Sequence, residues 1–200
     1  MAIKRYLTFL SIVCLFSGIV LGQPLNQARA KPGDTLSGRR PKVLVAFYSR
    51  TGTTRTVAQA LASKLGADVE EIVDTKNRQG IFGWLGAGRD ASKKSKTVIA
   101  PIQKNPADYE LVILGTPIWA WSMTPAMRTY IIQQRHNFKK VAFFCTMGAS
   151  GDIKTFAAMA ELCGQKPLAT MALRAGEVKM NQYYSAINRF SVELEAEAAP

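Results

Sequence analysis

Four hydroxyl side chains fall within the six residues Ser49-Arg50-Thr51-Gly52-Thr53-Thr54, more than a helix cap requires. Hydroxyls can donate to an anion, and Gly52 permits a close backbone approach. A turn that opens a helix also presents free N–H groups at the positive end of the helix dipole. That combination suits a phosphate monoester. A nucleoside-triphosphate loop is excluded because no Gly-Lys-Ser/Thr ending follows, and a dinucleotide fingerprint because the three-glycine spacing is missing. Taken alone, the stretch also reads as an ordinary strand-to-helix turn with a Ser/Thr cap.

Two further stretches could complete a pocket. Thr116-Pro117-Ile118-Trp119-Ala120-Trp121-Ser122-Met123 carries two indoles whose flat faces could cover a planar ring, with Pro117 stiffening its start. One of the two is expected to pack beneath the helix that follows. Thr146-Met147-Gly148-Ala149-Ser150-Gly151 offers hydroxyl donors, and its glycines let backbone amides approach a ring edge. By itself this third stretch is a routine glycine turn. In register, the three predict phosphate at one end of a pocket and a planar heterocycle at the other.

Other chemistry is sparse. His136 is the single histidine, and beside Arg135 it reads as a cation at a helix end. No grouping has metal-ligand spacing. Of the three cysteines, Cys14 lies in the N-terminal apolar run. Cys145 and Cys163 are separated by a helix of about a dozen residues, roughly 18 Å long, which rules out a disulfide. Both are expected as buried thiols.

The elements that must position these stretches alternate. Strands are predicted over Val43–Tyr48, Ala67–Val73, Leu111–Gly115, Val141–Cys145 and Pro167–Leu173. Helices are predicted over Thr54–Leu65, Thr124–Gln134, Asp152–Leu162 and Gln182–Ala196, with a looser helix-capable stretch at Ile81–Lys94. Alternation implies right-handed parallel crossovers and a three-layer α/β sandwich. Ligands of such sheets sit beyond the carboxyl ends of the strands, where the winding direction switches. All three stretches fall at that edge.

Composition places the chain in its class. Two hundred residues, 48% apolar and 20% charged, suit one globular domain with an appendage. Lys4 and Arg5 precede an uncharged run from Tyr6 to Leu21, and Ala28-Arg29-Ala30 forms a small-x-small cleavage pattern. As helix, that run spans roughly 24 Å, short of the ~30 Å hydrocarbon core. Residues 1–30 therefore read as a cleaved export signal that would deliver the domain to the periplasm, with an uncleaved membrane anchor as the alternative. Residues 31–41 read as a flexible lead and residues 42–200 as the domain. Cleavage removes Lys4, Arg5 and Arg29 and no acid, so the net charge falls from +12 to +9. The basic residues read as solvated surface charge or, functionally, as attraction to an acidic redox partner or an anionic membrane. Nucleic acid is not expected, because no basic-aromatic recognition pattern occurs.

From Pro41 onward the chain resembles the flavodoxins. The resemblance is carried by Phe47-Tyr48-Ser49-Arg50-Thr51-Gly52-Thr53-Thr54, by Leu114-Gly115-Thr116-Pro117-Ile118-Trp119, and more weakly by Phe143-Phe144-Cys145-Thr146-Met147-Gly148. It implies a five-stranded parallel sheet of order 2-1-3-4-5 and the cofactor FMN. Ser49, Thr51, Gly52, Thr53 and Thr54 would hold the phosphate, and Arg50 either screens it or points into water. Thr116, Pro117, Ile118, Trp119, Ala120 and Trp121 would flank the ring on one side, and Thr146, Met147, Gly148 and Gly151 on the other. The chain departs from the family pattern in its basic charge, its signal-like N-terminus and the lack of an aromatic on the third stretch. The expected role is an electron carrier between redox proteins or quinone. An FMN-dependent NAD(P)H/quinone reductase and an exported binding module without redox activity are the alternatives. A phosphorylated receiver domain is excluded, because Gly115-Thr116-Pro117 stands where its aspartate would end the third strand.

Overall fold

A computed structural model of the chain describes residues 41–75, 90, 91, 93 and 95–198. Its strands are β1 (Val43–Phe47), β2 (Asp68–Glu71), β3 (Leu111–Trp119), β4 (Ser122–Met123), β5 (Val141–Met147) and β6 (Thr170–Arg174). Its helices are α1 (Thr53–Leu65), α2 (Pro125–Gln134), α3 (Asp152–Cys163), α4 (Ala175–Lys179) and α5 (Tyr184–Ala198). Five strands pair in parallel in the order β2-β1-β3-β5-β6, and β4 folds back antiparallel on β3. With that hairpin strand set aside, this is the expected 2-1-3-4-5 winding.

The continuous apolar run of β1 follows from burial on both faces. Val43, Val45 and Phe47 pack with Ile113, Phe144 and Leu173 against α1 and α5, through Val57, Leu61, Ile187 and Phe190. Leu44, Ala46 and Tyr48 pack with Val112, Leu114 and Phe143 against α2 and α3, through Met127, Tyr130, Ile131 and Met159. Three layers result. Gly115 is required where the central strands meet, because a Cβ there would lie 2.1 Å from the ring of its register partner Phe144.

The site-bearing strands run further than their sequence suggests. β3 is expected to stop at Gly115 but continues to Trp119, because β5 still runs beside it and pairs Thr116 with Cys145 and Pro117 with Thr146. Pro117 is tolerated there because β1 has ended, its last pair being Phe47 with Gly115. Ile118 and Trp119 then pair with Met123 and Ser122 of β4. Strand β2, an edge strand, is shorter than expected at Asp68–Glu71, and β6 starts at Thr170 rather than Pro167. The short helix α4 is not expected from the sequence.

Cys145 and Cys163 are free and buried, and burial pushes each thiol up to about 12. Among the described residues no group of His, Cys, Asp and Glu could hold a metal, and no helix is long and apolar enough to cross a membrane. The export signal, the lead up to residue 40 and most of the stretch Ile81–Lys94 lie outside the described residues.

Candidate functional site

The carboxyl ends of β1, β3, β5 and β6 converge on one open cleft of about 120 Å³. The first turn contributes Arg50, Thr51, Thr53 and Thr54; β3 contributes Pro117, Ile118 and Trp119; β5 and its turn contribute Thr146, Met147 and Gly148. Ala175, at the start of α4, completes the lining. Sequence reasoning missed Ala175. The signal was available, since a parallel strand ending at Leu173 must deliver its next residues to the same rim.

The turn after β1 has the properties of an anion cradle. Gly52 is the N-cap of α1, with φ 93° and no side chain capping the helix, so the first-turn N–H groups of α1 have no partner from a cap. Ser49 Oγ is buried and unpartnered, a cost for a hydroxyl unless a ligand meets it. The contrast with α2 is instructive. Its N-cap Thr124 accepts from the Met127 N–H at 3.4 Å, and Pro125 opens it, so that terminus is already satisfied. Helix α3, like α1, starts on a glycine with positive φ and no side-chain cap, Gly151 at φ 114°. The helices that follow the first and third stretches, α1 and α3, thus have open N-termini, while α2, which follows the second, is closed.

Charge at the first turn is divided. Arg55 makes a two-pronged pair with Glu71 at 2.6 and 2.8 Å, and that pair raises its already high pKa. Its charge is therefore largely neutralised by β2. Arg50 lines the cleft beside this turn. Its guanidinium carbon lies 5.3 Å from the centre of the Trp119 ring, a cation–π contact. Trp119 also meets Tyr48 edge-on, with centroids 5.6 Å apart, and packs against the core beneath α2 and α3. The expectation that one indole packs inward is met by Trp119. Trp121 is the exposed one, at 64%.

The stretch 116–123 is a β-hairpin rather than a loop. Its turn residues Ala120 and Trp121 have φ 45° and 58°, positive at both, as tight hairpins demand. Neither is glycine, so the turn holds backbone strain. Gly151 supports it from the neighbouring turn: a Cβ there would lie 3.1 Å from both Trp121 Cα and Ile118 Cγ2.

Not every predicted residue faces the cleft. Thr116 points to the other face of the sheet, where its Oγ1 accepts from the Thr124 N–H at 3.2 Å and lies 3.2 Å from the Thr124 hydroxyl. Its role is to seat the start of α2. Thr146 does line the cleft, but its hydroxyl crosses to Thr54, 2.8 Å away. Ser49, Gly52, Ala120, Trp121 and Gly151 border the cleft's turns without lining the cavity itself.

The family model described as Flavodoxin matches residues 42–186. Among solved structures, the chain is similar to a flavoprotein from Lactobacillus acidophilus in complex with FMN. The two are 19% identical with a TM-score of 0.59, over 70% of this chain and 97% of that one. It is similar also to a putative flavoprotein from Bacteroides eggerthii at 22% identity and TM-score 0.58, over 73% of this chain and 98% of that one. A third, from Bacteroides uniformis, is 23% identical with a TM-score of 0.56, over 71% and 97% of the two chains. These likenesses establish the fold.

Proposed function

The chain belongs to the flavodoxin family, and on that premise we propose that it binds FMN at the described cleft and carries electrons between redox partners. The observation that carries the reading is the uncapped start of α1, which opens with Thr51, Thr53 and Thr54 onto a cleft shared by four strand ends, in a turn that also holds the buried, unpartnered hydroxyl of Ser49. Thr51, Thr53 and Thr54 and the first N–H groups of α1 would hold the phosphate. Pro117, Ile118 and Trp119 on one side and Met147 and Gly148 on the other would flank the ring, with Trp121 at the rim. The FMN-bound Lactobacillus relative, which shares the fold, supports this choice of ligand.

Bound FMN supplies the one- and two-electron chemistry. The chain's own contribution is to bind, orient and tune. The domain's net positive charge, +9 once residues 1–30 are removed, favours the negatively charged reduced flavin, so a redox titration should give a less negative potential than in an acidic flavodoxin. The same charge selects an acidic redox protein or an anionic membrane as partner. The signal-like pattern of residues 1–30 supports an exported, periplasmic setting for this carrier, with membrane anchoring as the alternative.

A second reading is favoured by one feature: the stretch Thr146–Gly151 carries no aromatic, which leaves room over a ring for a quinone. That makes an FMN-dependent NAD(P)H/quinone reductase the competing function. Two measurements separate the readings. Protein purified with its flavin retained should show the flavin absorption bands, and a colourless protein that ignores added FMN would overturn both. NADPH-driven menadione turnover no faster than free FMN fits the carrier, whereas faster turnover identifies the reductase.

A further inference from the structure

The hydroxyl pair Thr54–Thr146 joins residues 92 positions apart at 2.8 Å, with 1% and 3% of the two residues exposed. We propose that Thr146 belongs to the phosphate end of the site and is a positioning residue: it orients the Thr54 hydroxyl and so sets the preference for a phosphorylated flavin over an unphosphorylated one. This deepens the FMN reading and rests on it.

The geometry follows from the fold. Phe144 faces α1 and α5, so Thr146, two residues along the same strand, faces the same side. β3 lies between β1 and β5 with Pro117 paired to Thr146, so the contact to the start of α1 spans the central strand. Thr54 is the second residue of α1, and both threonines line the cleft.

The proton bookkeeping fixes the direction. A hydroxyl has one proton to give and two lone pairs to receive with. A phosphate oxygen without a proton can only accept. When Thr54 donates to such an oxygen, its contact with Thr146 is kept only if Thr146 donates to Thr54. The chain then runs from Thr146 O–H to Thr54 Oγ and from Thr54 O–H to the phosphate, each bond polarising the next. No covalent bond forms or breaks. Without the Thr146 hydroxyl, the Thr54 proton loses its fixed direction and can turn to a backbone carbonyl of its own first turn.

The test uses the full chain and two probes, FMN and riboflavin, which differ only in the phosphate. Thr146→Val keeps the branched shape and removes the hydroxyl, and Thr146→Ser keeps the hydroxyl. Thr146→Val should weaken FMN about five- to tenfold, the scale of one oriented hydrogen bond, and leave riboflavin affinity unchanged. Thr146→Ser should restore FMN binding. Thr54→Val should abolish the effect of the second change, so that Thr54→Val/Thr146→Val binds FMN no worse than Thr54→Val alone. Equal weakening of FMN and riboflavin, unchanged FMN binding in Thr146→Val, or additive losses in the double variant would each overturn the positioning role. A parent chain that binds no FMN overturns the function on which it rests. These failures are distinguishable because only the last appears before any substitution. The double-variant comparison needs FMN alone, so it decides the matter even if riboflavin binds too weakly to measure.

Discussion

The two ends of the cleft are built on different principles. At the end proposed for the phosphate, a short turn couples a glycine N-cap to hydroxyls at fixed spacing, and it offers both hydroxyl and backbone N–H donors. At the ring end, the contacts come from a strained hairpin, with Ala120 and Trp121 at positive φ, and from side chains such as Trp119, which is held between Tyr48 and Arg50. The first end is set by where the backbone goes, and the second by which rotamers the neighbours allow. A site organised in this way can hold one ligand feature tightly while its ring contacts adapt.

The two glycine N-caps sharpen that contrast most. Gly52 and Gly151 both have positive φ, but a Cβ at Gly52 meets only the tip of the Arg55 side chain at 3.9 Å, whereas at Gly151 it meets backbone at 3.1 Å. Gly151→Ala should therefore cost about 2–3 kcal/mol, from strain plus crowding. Gly52→Ala should cost only about 1–2 kcal/mol, from strain alone. Denaturant unfolding of both variants measures this, and equal losses would remove the distinction. FMN affinity should follow the opposite order, with Gly52→Ala the more damaging.

How much of this was legible in the sequence follows the same division. The sheet order was readable because parallel crossovers leave few windings once the apolar runs are placed, and β1 is apolar on both faces. Ser49–Thr54 stood out because hydroxyls at that density have few uses on a turn. The hairpin was not legible. Ala120-Trp121 lacks the Asn-Gly or Asp-Gly signature of its turn type, and Pro117 reads as a strand terminator unless one knows that β1 has already ended. The face that Thr116 takes was not legible for a related reason: one residue of register decides which side a strand side chain takes, and the end of β3 could not be fixed from its sequence. Arg50 was undecided, and its place over Trp119 depends on a contact between two separate turns.

Ser49 gives the next largest effect, and its two consequences have opposite signs. Ser49→Ala removes a buried, unpartnered hydroxyl, so the flavin-free protein should become more stable, by up to about 1 kcal/mol. FMN should bind about tenfold more weakly, the scale of a hydrogen bond to a charged group. Thermal unfolding without ligand and a fluorescence titration with FMN check the pair. A loss of stability together with unchanged affinity would show that the hydroxyl is structural.

The smallest effect should come from Trp121, and it is best read against the other indole. Trp121 is 64% exposed, and Trp121→Ala should change stability by less than about 0.5 kcal/mol. Trp119→Ala, by contrast, removes packing against Tyr48 and the core and should cost about 2 kcal/mol. Similar costs at the two positions would contradict the division of labour between the indoles.

The most direct test of the cleft's purpose is equilibrium dialysis of folded, flavin-stripped protein against FMN, with circular dichroism confirming the fold beforehand. The account predicts saturable uptake of one FMN per chain, competed by excess FMN analogue that carries the phosphate. Uptake no greater than that of an unrelated basic protein would contradict it.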